Sequence, residues 1–296
     1  MSKRSFRIAV FLMALIVGDQ LGGAALNELV GRSGQRFSAI YRGDLNADVV
    51  ILGNSRGIHM FHPPALSEAL DRRFANLAFN DLPPAIMPLL WEDYLKSHPA
   101  PKRIILEVSS VGVQDYPGSL ERFSYLIDCN PEIRSIIAKE NRLHANLSQV
   151  SRLFRYNSPL TWRSLLFLCK SDQSWIMNSQ LNGDMFTKAI EESDAELRFD
   201  AARASALAEV VRLSQERGIM VECVLAPYEP RYAKRLERKK EWLEWLQGQI
   251  HHPIEDLSGA LPDSIHFADH LHLHEDGAAH FAKEIRQEKL LRSNEW

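Results

Sequence analysis

Three residue types that together can perform nucleophilic chemistry stand at opposite ends of this 296-residue chain. The first is Ser55, in the pentapeptide Gly53-Asn54-Ser55-Arg56-Gly57 directly after the apolar run Val49-Val50-Ile51-Leu52. A buried strand that ends in a Gly-flanked serine presents a hydroxyl at the carboxyl end of a sheet, where open α/β folds place reactive groups. Gly, Asn and Ser are also ordinary turn residues, so the pentapeptide alone does not identify a nucleophile.

An acid and a base follow near the C-terminus. Asp269 precedes His272 by three residues, just ahead of an apolar-periodic segment at 278–291. A serine needs a neighbouring base to become nucleophilic near neutral pH, and that base needs an acceptor that fixes its tautomer. We therefore predict a catalytic unit in which Ser55 is the nucleophile, His272 the base and Asp269 its acceptor.

These residues resemble the motifs of the SGNH (GDSL-like) hydrolases. The resemblance rests on the serine after the first strand, the Asp-x-x-His pair, and the run His272-Leu273-x-x-x-Gly277-Ala278 into a last helix. It implies a flavodoxin-like three-layer α/β/α fold with a five-stranded parallel sheet. The SGNH-like domain would cover residues 45–290, with a helical insertion at about 110–198.

The chain looks most like the membrane-anchored branch of that family, which includes alginate O-acetylation proteins and teichoic-acid D-alanylation esterases. The resemblance implies a serine esterase or acyltransferase that acts on O-acyl groups, with O-acetyl as the expected one, of an extracytoplasmic polysaccharide or envelope glycan. It implies no cofactor. The implied partners are the glycan or acyl-ester substrate, the cytoplasmic membrane and, as a further candidate, a membrane acyltransferase. The alternative is a non-catalytic SGNH-fold factor that binds polymer or assembles a polysaccharide-modification complex.

The loops expected to stabilise an oxyanion depart from the family pattern. Phe79-Asn80-Asp81-Leu82-Pro83-Pro84 lacks the family's Gly, and Ser109-Ser110-Val111-Gly112-Val113-Gln114 lacks its Gly-x-Asn. The remaining donors are the backbone N–H of Ser55 and the backbone and side-chain amides of Asn80, which could instead cap its own turn. Arg56 could hold an anionic group of the substrate or lie solvated beside the loop. These departures are the main support for the non-catalytic alternative.

A Gly-x-Ser-x-Gly pentapeptide also marks the nucleophile elbow of α/β-hydrolases. In that fold several strands and an oxyanion loop precede the serine. Here the chain before Ser55 is short, and its first part is typical of a membrane or export segment. The sequence therefore favours the SGNH arrangement.

Alternating histidines leave a second chemistry open. His270, His272 and His274 would face one side of an extended segment, and neutral imidazole is a common Zn²⁺ ligand. In that interpretation His272 would be a metal ligand and not a base. We expect no metal site, with His270, His274 and His280 exposed.

The N-terminus has the pattern of an export or anchoring segment. An uncharged apolar run at 8–17 follows three basic residues, Lys3, Arg4 and Arg7. A run of this length suits the core of a signal peptide, and Gly23-Ala24-Ala25 could be its cleavage site.

A longer span at 8–26 would suffice to cross a membrane, although it includes Asp19. We expect an uncleaved, single-pass anchor within residues 1–30, with Asp19 at the lipid headgroups. The basic end would stay in the cytoplasm of a bacterium, so that the domain lies on the periplasmic side of the inner membrane.

Composition argues against a nucleic-acid-binding protein and against a disulfide-rich protein. Charged residues make up 25% of the chain and the formal net charge is −3, so nothing favours nucleic acid as a partner. Three scattered cysteines, Cys129, Cys169 and Cys223, cannot form a disulfide framework.

Alternation of apolar runs with helix-like segments predicts a parallel sheet covered by helices. The predicted strands are 49–52, 74–78, 103–108, 220–226 and 253–257. The predicted helices around them are 63–70, 84–97, 200–213 and 232–250, and two helix-like segments lie inside the insertion at 131–138 and 148–154.

Overall fold

The structure is a computed structural model that describes residues 2–113 and 116–287. The strands are β1 (Val49–Leu52), β2 (Phe74–Asn76), β3 (Arg103–Glu107), β4 (Met220–Leu225) and β5 (Ile254–Asp256). The α-helices are α1 (Lys3–Arg32), α2 (Arg36–Arg42), α3 (Ser55–Met60), α4 (Pro63–Leu70), α5 (Met87–Ser97), α6 (Glu132–Glu140), α7 (Arg142–Val150), α8 (Arg152–Arg155), α9 (Pro159–Leu166), α10 (Gly183–Glu192), α11 (Ala201–Gln215), α12 (Pro230–Ala233), α13 (Lys239–Ile250) and α14 (Glu275–Gln287). Short 3-10 helices occupy Pro84–Ile86, Ser109–Val111, Glu121–Asp128 and Ser264–His266.

The five strands form one parallel sheet in the order β2-β1-β3-β4-β5. β1 and β3 are buried along their whole length, as expected for apolar strands covered on both faces. The prediction of a five-stranded parallel sheet is confirmed, and each strand lies within its predicted run. The carboxyl ends of β1, β3 and β4 therefore meet at one edge of the sheet.

Two groups of helices cover the sheet. α4 packs against α14, whereas α11 packs against both α5 and α13. Trp91 of α5 donates from Nε1 to Ser214 Oγ of α11 at 2.9 Å, so even the polar atom of this buried indole is paired. Asp200 caps α11 by accepting hydrogen bonds from the next helical N–H groups, which is why this helix begins where the sequence predicts.

Two predicted helices are interrupted. The segment predicted as one helix at 232–250 is divided between α12 and α13, and Arg238 adopts a positive φ of 54° before α13 begins. The segment at 148–154 is divided at Ser151, whose side chain accepts from Phe154 N and begins α8. The predicted final helix is α14 up to Gln287; its remaining predicted residues lie outside the described residues.

The chain divides into two compact units. One consists of Met1–Arg42 with Gly118–Asp172 and contains α1, α2 and α6 to α9. The other consists of Gly43–Pro117 with Gln173–Trp296 and contains the sheet. The boundaries differ from the predicted ones because the N-terminal helix groups with residues from within the predicted insertion.

Helix α1 has two different halves. It is long and apolar enough to cross a membrane, and residues 2–18 are exposed. From residue 19 onward its side chains make contacts within the helical unit: Asp19 accepts hydrogen bonds from Ser151 Oγ, Arg152 N and Leu153 N at 2.5, 2.9 and 3.2 Å. Asp19 thus has protein donors, and its placement at the headgroups is not needed to satisfy its charge.

Candidate active site

Ser55, His272 and Asp269 lie together in the unit that contains the sheet. His272 Nε2 is 2.8 Å from Ser55 Oγ, and His272 Nδ1 is 2.9 Å from Asp269 Oδ2. The imidazole and the carboxylate are mostly buried, with side-chain exposures of 16% and 17%. The predicted order of nucleophile, base and acceptor is therefore present as one continuous hydrogen-bonded chain.

The ionisation of Asp269 determines the direction of these hydrogen bonds. Burial by itself raises the pKa of Asp269, but hydrogen bonds and the charge of His272 outweigh it and lower the pKa to about 2. An ionised carboxylate can only accept, so His272 Nδ1 must carry the proton. When the imidazole is neutral, its Nε2 is then free to accept the hydrogen bond that Ser55 Oγ–H donates, which is the tautomer required of a general base.

The spacing of three residues between acid and base has a local cause. Asp269 Oδ1 accepts from Leu271 N at 2.7 Å and from His272 N at 2.9 Å, which closes a tight turn on its own side chain. The same turn leaves Oδ2 to orient the imidazole. One carboxylate thus fixes both the backbone and the ring of His272.

Close packing explains both glycines of the serine pentapeptide. A Cβ on Gly57 would lie 2.6 Å from Ala78 Cβ, and a Cβ on Gly53 would lie 2.8 Å from Glu107 Cβ. Helix α3 can therefore begin directly at the end of β1, against the neighbouring strands. Ser55 is its first residue, and Asn54 caps it by accepting from Arg56 N at 2.9 Å.

A closed ring of hydrogen bonds holds the residues on either side of Ser55. Arg56 Nε donates to Glu107 Oε1 at 3.4 Å, and Glu107 Oε2 accepts from Ser109 Oγ at 2.8 Å. Asn54 Nδ2 donates to Ser109 Oγ at 3.2 Å, while Asn54 Oδ1 accepts from Arg56 N. The position of Ser55 is therefore determined by β3 as well as by its own turn.

The structure corrects the two roles predicted for Arg56. Its side chain is 2% exposed, so it is neither solvated nor open to an anionic substrate group. The guanidinium also donates to Leu271 O at 3.1 Å, to Pro227 O at 2.9 Å and to Ala226 O, and it lies 3.5 Å from the centre of the Tyr228 ring. Arg56 is thus a buried connection between the serine helix and the turn that carries His272.

Asn80 follows a residue that is hydrogen-bonded to the serine loop. Phe79 N donates to Gly53 O at 3.1 Å, which places the start of this loop at the same sheet edge as Ser55. Asn80 Oδ1 is buried and has no hydrogen-bond partner among the described residues. Its role as an oxyanion donor stays a prediction, and the unpartnered oxygen gives no support to the alternative that this side chain caps its turn.

Sequence analysis missed two features that support the site, namely the surroundings of His59 and the burial of Glu107. His59 is buried, and its ring centre lies 4.9 Å from that of His272 and 5.3 Å from that of Trp175. Glu107 is an acid directly after the apolar residues Ile104-Ile105-Leu106 of β3, a signal that could have marked it as buried and paired. The sequence places His59 shortly after Ser55, where it could line the site or cover the following turn; its contacts with His272 and Trp175 could not be read from the sequence, because they come from distant parts of the chain.

The alternating histidines His270, His272 and His274 have different partners in the structure. His274 Nε2 donates to Ile265 O at 2.7 Å, and its Nδ1 accepts from Gly277 N at 3.2 Å. This imidazole therefore caps the first turn of α14. His270 is not exposed as expected: burial lowers its pKa, and its ring lies 4.8 Å from that of Tyr232. In the part of the chain that the structure describes, no three His, Cys, Asp or Glu side chains are grouped to hold a metal ion.

We expect Arg56→Met to lower the free energy of unfolding by about 3–5 kcal/mol, because it leaves Glu107 buried without its cation. Thermal unfolding of the detergent-solubilised full chain would measure this loss. Arg212→Met is a matched control, since that exposed guanidinium pairs with Glu209 and Glu216 at the surface and its removal should change the stability far less. Wild-type stability in Arg56→Met, with only a raised KM for anionic esters, would instead make Arg56 a substrate ligand.

We expect Asp269 to contribute about 2 kcal/mol of stability above pH 4, since its pKa falls from 3.8 to about 2 on folding. A depressed folded-state pKa gives stability that is present above the unfolded value and is lost as the pH falls from about 4 to about 2. The stability difference between wild type and Asp269→Asn should therefore shrink over this interval. A constant difference, measured by denaturant unfolding at several pH values, would show that folding does not lower the pKa of Asp269.

Comparison with known proteins gives little similarity. No protein-family model matches the chain, and no curated protein matches it. One solved structure that does match is provisionally described as a platelet activating factor from Streptococcus pneumonia, at 10% sequence identity and a TM-score of 0.41, over 97% of this chain and 99% of that chain. At this TM-score the likeness supports neither a shared fold nor a shared activity.

Proposed function

We propose that this protein is a membrane-anchored serine esterase or acyltransferase of the SGNH type. The observation that carries the proposal is the hydrogen-bonded chain from Ser55 Oγ through His272 to Asp269, with donor–acceptor distances of 2.8 and 2.9 Å. A serine paired with a base that is itself oriented by an ionised acid is the arrangement of an activated nucleophile. The strand order, which is that of flavodoxin-like doubly wound sheets, supports the proposed SGNH-like fold.

The geometry supports a two-step acyl transfer. Ser55 Oγ attacks the acyl carbonyl carbon while His272 Nε2 takes the serine proton, and Asp269 stabilises the resulting imidazolium. The ester C–O bond then breaks, and the departing alcohol oxygen receives that proton from Nε2. Water or a sugar hydroxyl attacks the acyl carbon of the acyl-serine next and gives its proton to Nε2. The bond between the acyl carbon and Ser55 Oγ then breaks, Oγ takes that proton back from Nε2, and the carboxylic acid or the acylated sugar leaves.

An oxyanion needs donors aimed at the carbonyl oxygen. The backbone N–H of Ser55 is one candidate, because it is the first residue of α3 and the first N–H groups of a helix have no partner within that helix. The side-chain amide of Asn80 is the second candidate. Asn80 replaces, in this proposal, the glycine and asparagine that the resembling family brings to the same place.

The proposed substrate is an O-acyl group, with O-acetyl expected, on a polysaccharide or other glycan of the bacterial envelope. This part of the proposal rests on the resemblance of the motifs to envelope-polymer acylation proteins, as does a membrane acyltransferase as partner. The missing oxyanion glycine favours the alternative of a non-catalytic assembly or polymer-binding factor. The complete Ser55–His272–Asp269 chain favours an enzyme, because a binding module does not require that geometry.

We further propose an uncleaved anchor with its basic end in the cytoplasm and the rest of the chain on the periplasmic side of the inner membrane. Helix α1 is long and apolar enough for one crossing. Cleavage near Gly23-Ala24-Ala25 would remove Asp19 and Gly23, and a Cβ on Gly23 would lie 2.2 Å from Arg152 Cβ. A residue packed this closely in the helical unit is a poor candidate for removal with a signal peptide.

We expect Ser55→Ala and His272→Ala each to lower hydrolysis of a small acetyl ester by at least about 1,000-fold, and the double variant to be little worse. The reason is that the two side chains act as one unit. Labelling of the purified full chain with a serine-reactive fluorophosphonate should be lost in Ser55→Ala and strongly reduced in His272→Ala.

His280→Ala is the matched histidine control and should keep wild-type activity, as should wild type treated with a chelator. Neither hydrolysis nor labelling in the wild type would favour the non-catalytic alternative. Activity that is lost on chelation but kept in Ser55→Ala would favour metal chemistry instead.

We expect Asn80→Ala to lower kcat by roughly 100- to 1,000-fold with little change in KM, because an oxyanion donor acts on the charge that develops in the transition state. Its thermal unfolding should stay near that of the wild type, since Asn80 Oδ1 has no partner among the described residues. An unchanged kcat would remove Asn80 from the oxyanion site.

A further inference from the structure

The exposed part of α1 is short for a membrane crossing. Its large apolar side chains from Phe6 to Val17 are about half exposed or more, and Asp19 is the first of residues 2–19 that is partly buried. At about 1.5 Å per residue, residues 8–18 cover only about 17 Å. A bilayer core about 30 Å thick needs about 20 residues.

The full crossing must therefore include part of the packed half of α1. If Arg7 stays at the cytoplasmic surface, about 20 residues of helix reach the outer surface near residue 27. Residues 19–23 then lie below that surface, and a tilted helix would place them deeper. Whatever part of the helical unit packs on residues 19–23 must also be compatible with lipid.

The junction between α7 and α8 packs on these residues. Asp19 accepts hydrogen bonds from Ser151, Arg152 and Leu153, as described above. A Cβ on Gly22 would lie 2.9 Å from Leu153 Cδ2, so this leucine covers α1 directly. The carboxylate of Asp19 is thereby supplied with donors where water is scarce, which is what an acid within a membrane requires.

Helix α7 exposes an apolar face next to this junction. Leu143, Leu147 and Val150 recur at i, i+4 and i+7 and are 69%, 42% and 78% exposed. The opposite side of the helix packs inward through Ala145 and Ser148. Leu153 at the start of α8, which is 43% exposed, and Leu21 of α1, which is 66% exposed, continue the apolar surface towards the span.

We propose that this apolar face, formed by Leu143, Leu147, Val150 and Leu153, inserts into the outer boundary between headgroups and acyl chains of the membrane that α1 crosses. The inference rests on the proposed anchoring of α1. Lipid is the occupant because the face continues an apolar helix surface and lies at a depth fixed by the length of the span. Arg142 is exposed directly before Leu143, and its guanidinium group can reach the headgroups. The helical unit is then held to the bilayer at two places, which restricts its rotation about α1.

Single-cysteine variants of the full chain in lipid nanodiscs test this placement. In a background of Cys129→Ser and Cys169→Ser, with the buried Cys223 retained, an environment-sensitive fluorophore is attached at Leu147→Cys or Val150→Cys. Gln149→Cys is the matched control, because it is exposed on the polar side of the same helix. Val10→Cys reports whether α1 itself is in the bilayer. Quenching by lipids with spin labels on their acyl chains is compared with quenching by aqueous iodide.

We expect lipid quenching at positions 147 and 150 to be several-fold stronger than at 149, and iodide quenching to be several-fold weaker. Equal iodide quenching at all three positions, with position 10 quenched by lipid, would overturn the inference while leaving the anchor intact. Iodide quenching at position 10 as well would overturn the anchor. If positions 147 and 150 become shielded only after membrane proteins are added, the face binds a protein and the inference is wrong.

Discussion

The buried pair of Arg56 and Glu107 is the interaction on which the site depends. Both side chains are at most 2% exposed, so their charges can be tolerated only if every donor and acceptor around them is used. The guanidinium reaches carbonyls that follow β4 and the carbonyl of Leu271, while the carboxylate accepts from Ser109 and Arg56. These contacts join the carboxyl ends of β1, β3 and β4 to the histidine turn, which fixes the separation between serine and base.

Both local and long-range interactions therefore build the hydrogen-bonded chain of Ser55, His272 and Asp269. Asp269 and His272 are organised locally, because a single carboxylate closes the turn with one oxygen and orients the imidazole with the other. Ser55 comes from 217 positions away, and its approach to His272 depends on the sheet and on Arg56. A buried ion pair contributes little net stability, but breaking it is costly, so it serves better to define one arrangement than to strengthen the fold.

Helix α1 combines two environments in one element. Residues 8–17 have apolar side chains on all sides, as a lipid-exposed helix does, and the second half of the helix contains small residues that allow close packing. Asp19 lies where the two halves meet. Its carboxylate accepts hydrogen bonds from the backbone N–H groups of Arg152 and Leu153 at the start of α8. An acid that looks unfavourable in a hydropathy profile is thus explained by its donors.

The sequence by itself determined those features that depend on residues close together along the chain. Apolar runs indicated all five strands, Asp200 marked the start of α11, and the spacing of three residues between Asp269 and His272 indicated a base with its acceptor. Only the tertiary structure decided the burial of Arg56, the pairing of Glu107, the position of His59 beside His272 and the capping role of Asp19. Periodicity and capping are local and can be read along the chain, whereas the burial of a charge depends on carbonyls and carboxylates that folding brings from distant positions.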